Sequence, residues 1–164
     1  MELGLQTVHS RTARAMNLRY ERADFENAAE SLARHNIDIC AHIILGLPGE
    51  NRRDMLETAR FVAQSQVQGI KIHLLHVMNN TPLGVWYKKQ PFEILELEEY
   101  VNLVADILEI IPPDMIVHRL TGDSPRQLLL APQWSLKKRE ILNHIDRIML
   151  ERDTWQGKNY SKSE

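Results

Sequence analysis

Along the first half of the chain, short apolar runs typical of buried strands alternate with stretches whose apolar residues recur at helical spacing. The apolar run from Ile37 to Leu45 is rich in β-branched residues and stops at Gly46-Leu-Pro-Gly49, which predicts a buried strand and a tight turn. Asn51 can cap a helix that runs to about Gln64, and the run from Ile70 to Val77 predicts another strand. Strands separated by helices predict right-handed crossovers and a parallel sheet.

The same patterns predict the other elements. A strand over Met1–Gln6 comes first, and a helical turn opens near Ser10. The remaining predictions are a helix from about Asp24, as its N-cap, to His35; a loop at Asn79–Pro82; a helix over Leu97–Ile111; a strand over Met115–Leu120; a loop at Thr121–Pro125; and a helix over Ser135–Glu151. We expect a first unit over residues 1–111, an extension with a short strand and a helix over 112–153, and a mobile tail over 154–164.

Composition limits the class of protein. The 164 residues have the size of one domain, and the formal net charge of −2 gives no basic footprint for nucleic acid as a whole. There is no long apolar run and no charged leader, so we expect a cytoplasmic protein. The one cysteine, Cys40, is interpreted as a small buried hydrophobe. No serine or cysteine nucleophile set, P-loop or dinucleotide fingerprint is present.

The turn after the second strand is the first candidate site. Glycines at the carboxyl end of a parallel strand let backbone amides approach a ligand that a Cβ would exclude. The alternative is that Gly46, Pro48 and Gly49 only reverse the chain. Glu50 can contribute to that site or cap the next helix, and Thr121–Pro125 fits an Asx-type turn as well as a ligand contact.

Histidines are a weaker signal. His73 and His76 lie three apart in a predicted strand, so their side chains should point to opposite faces and cannot share a metal ion without a bulge. We therefore predict no metal site. His42 shares the more polar face of its strand with Asp38 and Cys40, and it is either a contact below the glycine turn or a buried structural histidine.

Four segments together resemble a known family. Taken in order and spacing, they are similar to the carboxyl-terminal half of radical S-adenosylmethionine (SAM) proteins of the YhcC/YtqA-like branch, which is related to the Elongator catalytic subunit and oxygen-independent coproporphyrinogen dehydrogenase. The segments are Glu2–Thr7, His42–Glu50, Gly69–Val77 and Arg119–Asp123. The resemblance implies an α/β fold. Residues 1–111 would form the second half of a partial (β/α)6 barrel, with family strands four to six and their helices, and additional C-terminal helices would follow.

The resemblance also implies roles for individual residues. Gln6 would contact the ribose or methionine end of SAM, and His42 would be a polar cofactor contact. The stretch Gly46, Leu47, Pro48, Gly49 and Glu50 would lie against the adenine, and the backbone around His76 and Val77 would also contact it.

One family arginine is displaced in this chain. Where relatives carry Asn-Arg-Gly-His, the sequence reads Asn17-Leu18-Arg19-Tyr20, so in a helix the guanidinium would be rotated by about 100°. Either Arg19 or Arg22 is the candidate to pair with the SAM carboxylate.

In an intact enzyme of this kind, a four-iron, four-sulfur cluster cleaves SAM to a 5′-deoxyadenosyl radical that abstracts hydrogen. The cluster motif CxxxCxxC is absent here, so we expect the chain alone to be inactive and its barrel to need an amino-terminal half. An RNA base is one expected substrate, with a small molecule or a protein equally open. The alternatives are a non-catalytic interaction or assembly module, or a truncated product. An unpaired edge strand predicts a homo-oligomer, with a symmetric dimer as the expected form.

Overall fold

The computed structural model describes residues 1–161 and has an α/β architecture. Four parallel strands form one sheet and helices connect them, as the sequence patterns predict. In chain order the elements are β1 (Glu2–Gln6), α1 (Ser10–Ala15), α2 (Arg22–Arg34), β2 (Cys40–Leu45), α3 (Arg52–Gln64), β3 (Gly69–Leu74), β4 (Val77–Met78), α4 (Pro82–Lys89), α5 (Leu97–Ile110), β5 (Ile116–Arg119), β6 (Leu129–Ala131), a 3₁₀ turn (Gln133–Leu136) and α6 (Lys138–Glu151).

The main sheet has the strand order β1-β2-β3-β5. Its two faces differ, because side chains alternate along each strand. Ala41, Ile43 and Leu45 are buried in the main core, together with α3 and α5. The opposite face carries half-buried polar side chains such as His42 and His73. This polar face, which we call the open face, corresponds to the inside of a barrel.

An N-terminal cap determines where α3 begins, and a buried stripe of apolar residues holds α5 against the sheet. The Asn51 side chain accepts the backbone N–H groups of Arg53 and Asp54, at 2.8 and 3.1 Å, and so begins α3 where the sequence predicts. The apolar stripe of α5 is buried, and Tyr100 donates a hydrogen bond of 2.9 Å to the Leu120 carbonyl. This bond ties α5 to the end of β5.

Three predicted boundaries were wrong. The last helix, α6, begins at Lys138, and Ser135 lies in the preceding 3₁₀ turn. Asp24 is not the N-cap of α2: Glu21 is, and the Asp24 carboxylate accepts the Glu21 N–H from within the first turn. The second strand begins at Cys40 rather than Ile37. The Ile37 N–H donates instead to the Leu32 carbonyl and closes the end of α2, so that backbone cannot pair in the sheet.

A small second layer was not predicted. Strands β4 and β6 pair antiparallel, and α4 follows β4. Leu47, Leu75, Val77 and Ala131 form its buried cluster, against which α4 packs through Leu83 and Tyr87. The predicted strand over Ile70–Val77 is therefore two strands, and the predicted loop at Asn79–Pro82 leads directly into a helix.

The end of the chain packs on the fold as far as it is described. Gln156 donates to the Pro112 and Met115 carbonyls, at 2.7 and 2.8 Å, and Tyr160 packs against the main core. Residues 162–164 of the predicted tail lie outside the described residues. Within residues 1–161, none of the helices has both the length and the apolar character needed to cross a membrane.

Candidate functional site

The carboxyl end of β1 bears the first candidate residue. Gln6 has a φ of 56°, a conformation that costs a non-glycine residue about 1–2 kcal/mol. Its side chain folds back over Gly4, where an added Cβ would lie 2.6 Å from the Gln6 Nε2. The Oε1 of Gln6 is buried and has no hydrogen-bond partner among the described residues. Strain and an unpaired buried acceptor at one residue are typical of a ligand contact.

The turn after β2 lies next to a cleft. Gly46 and Gly49 have φ values of 85° and 81°, which favour glycine at both positions. The cleft has a volume of about 540 Å³ and extends from this turn to α5. Leu47 belongs to the buried cluster of the small second layer and also lines the cleft. The buried Pro48 side chain does not line it.

Glu50 is a half-buried carboxylate that lines the cleft, and it is not the helix cap, since Asn51 caps α3. The Thr7 hydroxyl donates to Glu50 Oε1 and so connects the end of β1 to the glycine turn. Oε2 is buried without a partner among the described residues. Burial raises the pKa of Glu50, and the hydrogen bond from the Thr7 hydroxyl partly opposes that rise.

Histidines line the open face at the next strands. The His42 and His73 rings have centroids 5.4 Å apart, and His42 Nε2 lies 3.1 Å from the Glu2 carboxylate. Burial lowers the pKa of His42. Burial and the neighbouring positive charges lower the pKa of His73 to about 4. Both rings are therefore neutral at physiological pH, with one donor and one acceptor nitrogen each.

His76 lies on the same side as His73, so the predicted separation onto opposite faces was wrong. An added Cβ on Gly122 would lie 2.9 Å from His76 Cε1 and 3.7 Å from His73 Nδ1. The reason is that β3 ends at Leu74, and strand alternation does not extend to His76. Among residues 1–161 no group of three or more histidine, cysteine, aspartate or glutamate side chains is arranged to hold a metal ion.

The remaining predicted residues have different surroundings. Val77 is fully buried and pairs with Ala131, so only its backbone is available. Arg19 lies exposed in a loop rather than in a helix, so the expected rotation does not apply. Arg22 lies at the start of α2, over the Phe61 ring at 4.3 Å and bound to Glu26.

The sequence interpretation missed two residues of this site. Thr7 holds Glu50, and His73 belongs with His42 and His76. Thr7 lies one residue beyond a predicted strand end, a signal that could have identified it. His73 was not grouped with His76 because the sequence analysis assumed that strand alternation continues through both residues.

Comparison with known proteins matches both halves of the chain. The Radical SAM superfamily model matches residues 1–62, and the Radical_SAM C-terminal domain model matches residues 67–151. The chain is 48% identical to the uncharacterized protein YtqA of Bacillus subtilis (strain 168) over 164 residues, which is 100% of this chain and 51% of that protein. It is 30% identical to protein YhcC of Escherichia coli (strain K12) over 151 residues, 92% of this chain and 49% of that protein.

A solved structure has the same fold. Elp3 of the archaeon Methanocaldococcus infernus, lacking its N-terminal residues 1–46, superposes with a TM-score of 0.83 at 16% identity, over 94% of this chain and 36% of that one. The predicted partial barrel with C-terminal helices is thereby confirmed. The chain spans about half the length of the curated relatives it matches.

Proposed function

The chain belongs to the radical SAM superfamily, in its YhcC/YtqA-like branch, and from that membership we propose that it forms the SAM-binding, carboxyl-terminal half of a radical SAM active site. The single observation that carries the proposal is a group of unpaired buried polar atoms at one edge of the sheet. Within residues 1–161 they are Gln6 Oε1 at the end of β1, Glu50 Oε2 in the turn between β2 and α3, and His76 Nε2 just beyond β3. Unpaired buried atoms are costly unless a ligand completes them.

These residues fit a nucleoside with an amino-acid tail. The backbone of Gly46 and Gly49 offers a surface that an adenine ring can approach, and Gln6 and His76 offer hydrogen-bonding groups on either side of it. Glu50 holds the turn to β1 through Thr7. The task of this chain is to bind and orient the cofactor, which supplies a hydrogen-abstracting radical when reduced with its cluster.

The described residues do not fit an iron–sulfur cluster. Cys40 is the one cysteine of the chain, and it is buried at the start of β2, away from the carboxyl edge. A four-iron cluster takes several cysteine thiolates. The ligands are therefore proposed to come from an amino-terminal half, and the greater length of the relatives supports this.

An RNA base is the proposed substrate of the intact enzyme, and kinship with the Elongator branch supports that choice. The test compares two additions to the reduced, SAM-supplied full-length protein: total RNA, and the small-molecule fraction of the same cells. A rise in 5′-deoxyadenosine with RNA alone is expected. A rise with the small molecules alone would replace the RNA proposal.

The SAM-binding proposal has its own test, which needs no substrate. The longest natural form of the protein, reconstituted anaerobically with iron and sulfide and reduced with dithionite, should release 5′-deoxyadenosine from SAM. Gln6→Ala should suppress the release, whereas His35→Ala, on the exposed end of α2, should not. A protein that takes up no cluster and releases nothing would leave only the fold relationship and favour the interaction-module alternative.

A further inference from the structure

One side of the main sheet ends in a strand with a free edge. Among residues 1–161, β5 pairs with β3 alone and is the last strand of the sheet. The Ile116 N–H donates to the Gln68 carbonyl at 2.9 Å, so it points toward β3. Because backbone groups alternate in direction along a strand, the next residue, Val117, directs its N–H and carbonyl groups away from the sheet. An added strand pairs with groups of this kind.

A groove, which we call the β5 groove, follows this edge. It has a volume of about 520 Å³, and α6 contributes Lys138 and Leu142 to its lining. Five consecutive residues of β5 and the segment after it also line the groove, although neighbouring side chains of a strand point to opposite faces. A groove that contacts all five therefore follows the backbone edge. The five are Val117, His118, Arg119, Leu120 and Thr121.

The two sides of the β5 groove differ in chemistry. Leu108 of α5 and Leu142 of α6 give it an apolar side, on the face of the sheet that these helices cover. Arg119 pairs in register with Lys71, which shares the polar open face with His73. A strand added to β5 would therefore place alternate side chains in apolar and polar surroundings, as β2 and β3 do.

Arg119 gives the polar side an excess of positive charge. Within residues 1–161 its guanidinium donates no hydrogen bond, and the Asp123 carboxylate approaches it only to 4.0 Å. That carboxylate already accepts hydrogen bonds of 3.0 Å from Lys138, the other cation of the groove. None of the described residues that line the groove is acidic. One positive charge thus has no matching negative charge, and an acidic side chain on an incoming strand would supply it.

We propose that the β5 groove binds an extended segment of a partner protein in which apolar and acidic residues alternate. The backbone of the segment pairs with Val117, and its apolar side chains contact Leu108 and Leu142. An acidic side chain meets Arg119. A second copy of this chain fits less well, because its β5 carries the same arginine. Self-association is expected at β1 instead, the edge that the proposed amino-terminal half would cover. Binding of the segment requires neither SAM nor a cluster.

The first test uses the chain alone and two fluorescein-labelled peptides of six residues, since five residues of extended chain span about 16 Å. One peptide alternates valine with glutamate, and the other alternates valine with lysine. Fluorescence anisotropy should show that the glutamate peptide binds about fivefold more tightly. The net charge of the whole chain is −2, which favours the lysine peptide, so a preference for glutamate reports the groove itself.

A matched pair of variants tests the role of Arg119. Arg119→Gln should weaken binding of the glutamate peptide about two- to fivefold, the range for an exposed ion pair. Arg34→Gln is the control, because Arg34 is also exposed and also lies near a carboxylate four residues away, Glu30 at 3.7 Å, but belongs to α2. It should leave the affinity unchanged. Circular dichroism checks that both variants stay folded.

Amide hydrogen exchange, measured by NMR, tests strand addition directly. Saturating glutamate peptide should slow exchange at Val117 about tenfold or more, whereas Ile116 should already exchange slowly in the free chain because its N–H is bonded. An unchanged rate at Val117, no binding at about 1 mM protein, equal affinity for the two peptides, or equal losses from the two variants would overturn the proposal. Slow exchange at Val117 that depends on the concentration of the free chain would also overturn it and assign the edge to a second copy.

Discussion

The glycine turn permits a quantitative prediction, because its two glycines share a backbone conformation but differ in their surroundings. Gly46 and Gly49 have φ values of 85° and 81°. A Cβ added at Gly49 would meet nothing within 4 Å, whereas one at Gly46 would lie 3.2 Å from Leu95 Cδ1. Replacing each glycine with alanine therefore separates backbone strain from crowding.

Gly49→Ala should lower the free energy of unfolding by about 1–2 kcal/mol, the cost of a left-handed conformation for a residue with a Cβ. Gly46→Ala should lower the free energy of unfolding by the same strain energy and by the further cost of displacing Leu95, since ordinary carbon contacts lie at about 3.5–4.0 Å. The Leu95 side chain can shift by a few tenths of an ångström, so crowding should add about 1 kcal/mol, the lower end of overpacking costs. The total at Gly46 is then about 2–3 kcal/mol.

Urea unfolding followed by circular dichroism measures both values, and equal m-values establish that the variants differ in stability alone. The Gly46→Ala change is repeated in a Leu95→Ala background, where its cost should fall to that of Gly49→Ala because the crowding is gone. If Gly49→Ala costs as much as Gly46→Ala, or if the Leu95→Ala background changes nothing, the crowding argument is wrong. If neither change destabilises the chain, the turn geometry itself is wrong.

Three further predictions concern charge and assembly. His73 has a lowered pKa of about 4, so the unfolded chain binds its proton first and stability should fall as pH drops from about 6.5 to 4. His73→Phe should flatten this dependence in unfolding curves, and an unchanged slope would show that His73 is not buried as a neutral ring. Glu50 has a raised pKa, so its ionisation lowers the free energy of unfolding above its ordinary pKa. Glu50→Gln should therefore raise the free energy of unfolding at neutral pH and lose that advantage in acid. A lower free energy of unfolding for Glu50→Gln at neutral pH would contradict this. Because β1 and β5 are edge strands of the sheet, the chain should form a symmetric dimer, and a monodisperse monomer at high concentration in light scattering would refute that.

Strong local signals made most of the sheet predictable. The apolar run that ends at Gly46 and the helix cap at Asn51 are both local signals of a few adjacent residues. The turn and α3 lie where these signals predict them. The stripe from Leu97 predicts α5 because a helix of fourteen residues repeats its pattern over several turns. Resemblance to a family then added the barrel, which no local pattern specifies.

The second layer was missed because its strands are too short to show a period. Strands of two and three residues carry no alternation to detect. The start of α4 did have a signal: Thr81 accepts the Gly84 N–H at 3.0 Å, and Pro82 occupies the first helical position. The residues were interpreted as a loop because Thr-Pro also occurs in turns.

The contacts within the candidate site could be predicted from the sequence less completely than the fold. Gln6, Gly46 and Glu50 could be named from the resemblance, but a one-dimensional pattern could not indicate that Thr7 reaches Glu50. The grouping of His73 with His76 depends on where β3 ends, which lies three residues earlier than the apolar run suggests. Contacts between segments distant in sequence are determined by tertiary packing, so the local spacing of apolar residues does not predict them.

Release of 5′-deoxyadenosine is the measurement that decides whether this chain forms part of a SAM-cleaving active site. The longest natural form of the protein is reconstituted with iron and sulfide, reduced with dithionite and supplied with SAM, and the nucleoside is quantified by chromatography. We predict that release depends on reductant, falls about tenfold in Gln6→Ala because a buried hydrogen bond to SAM is lost, and is unaffected by His35→Ala. Release at the full rate from Gln6→Ala would remove this chain from the cofactor site, and no release from a protein that has bound its cluster would contradict the proposed chemistry.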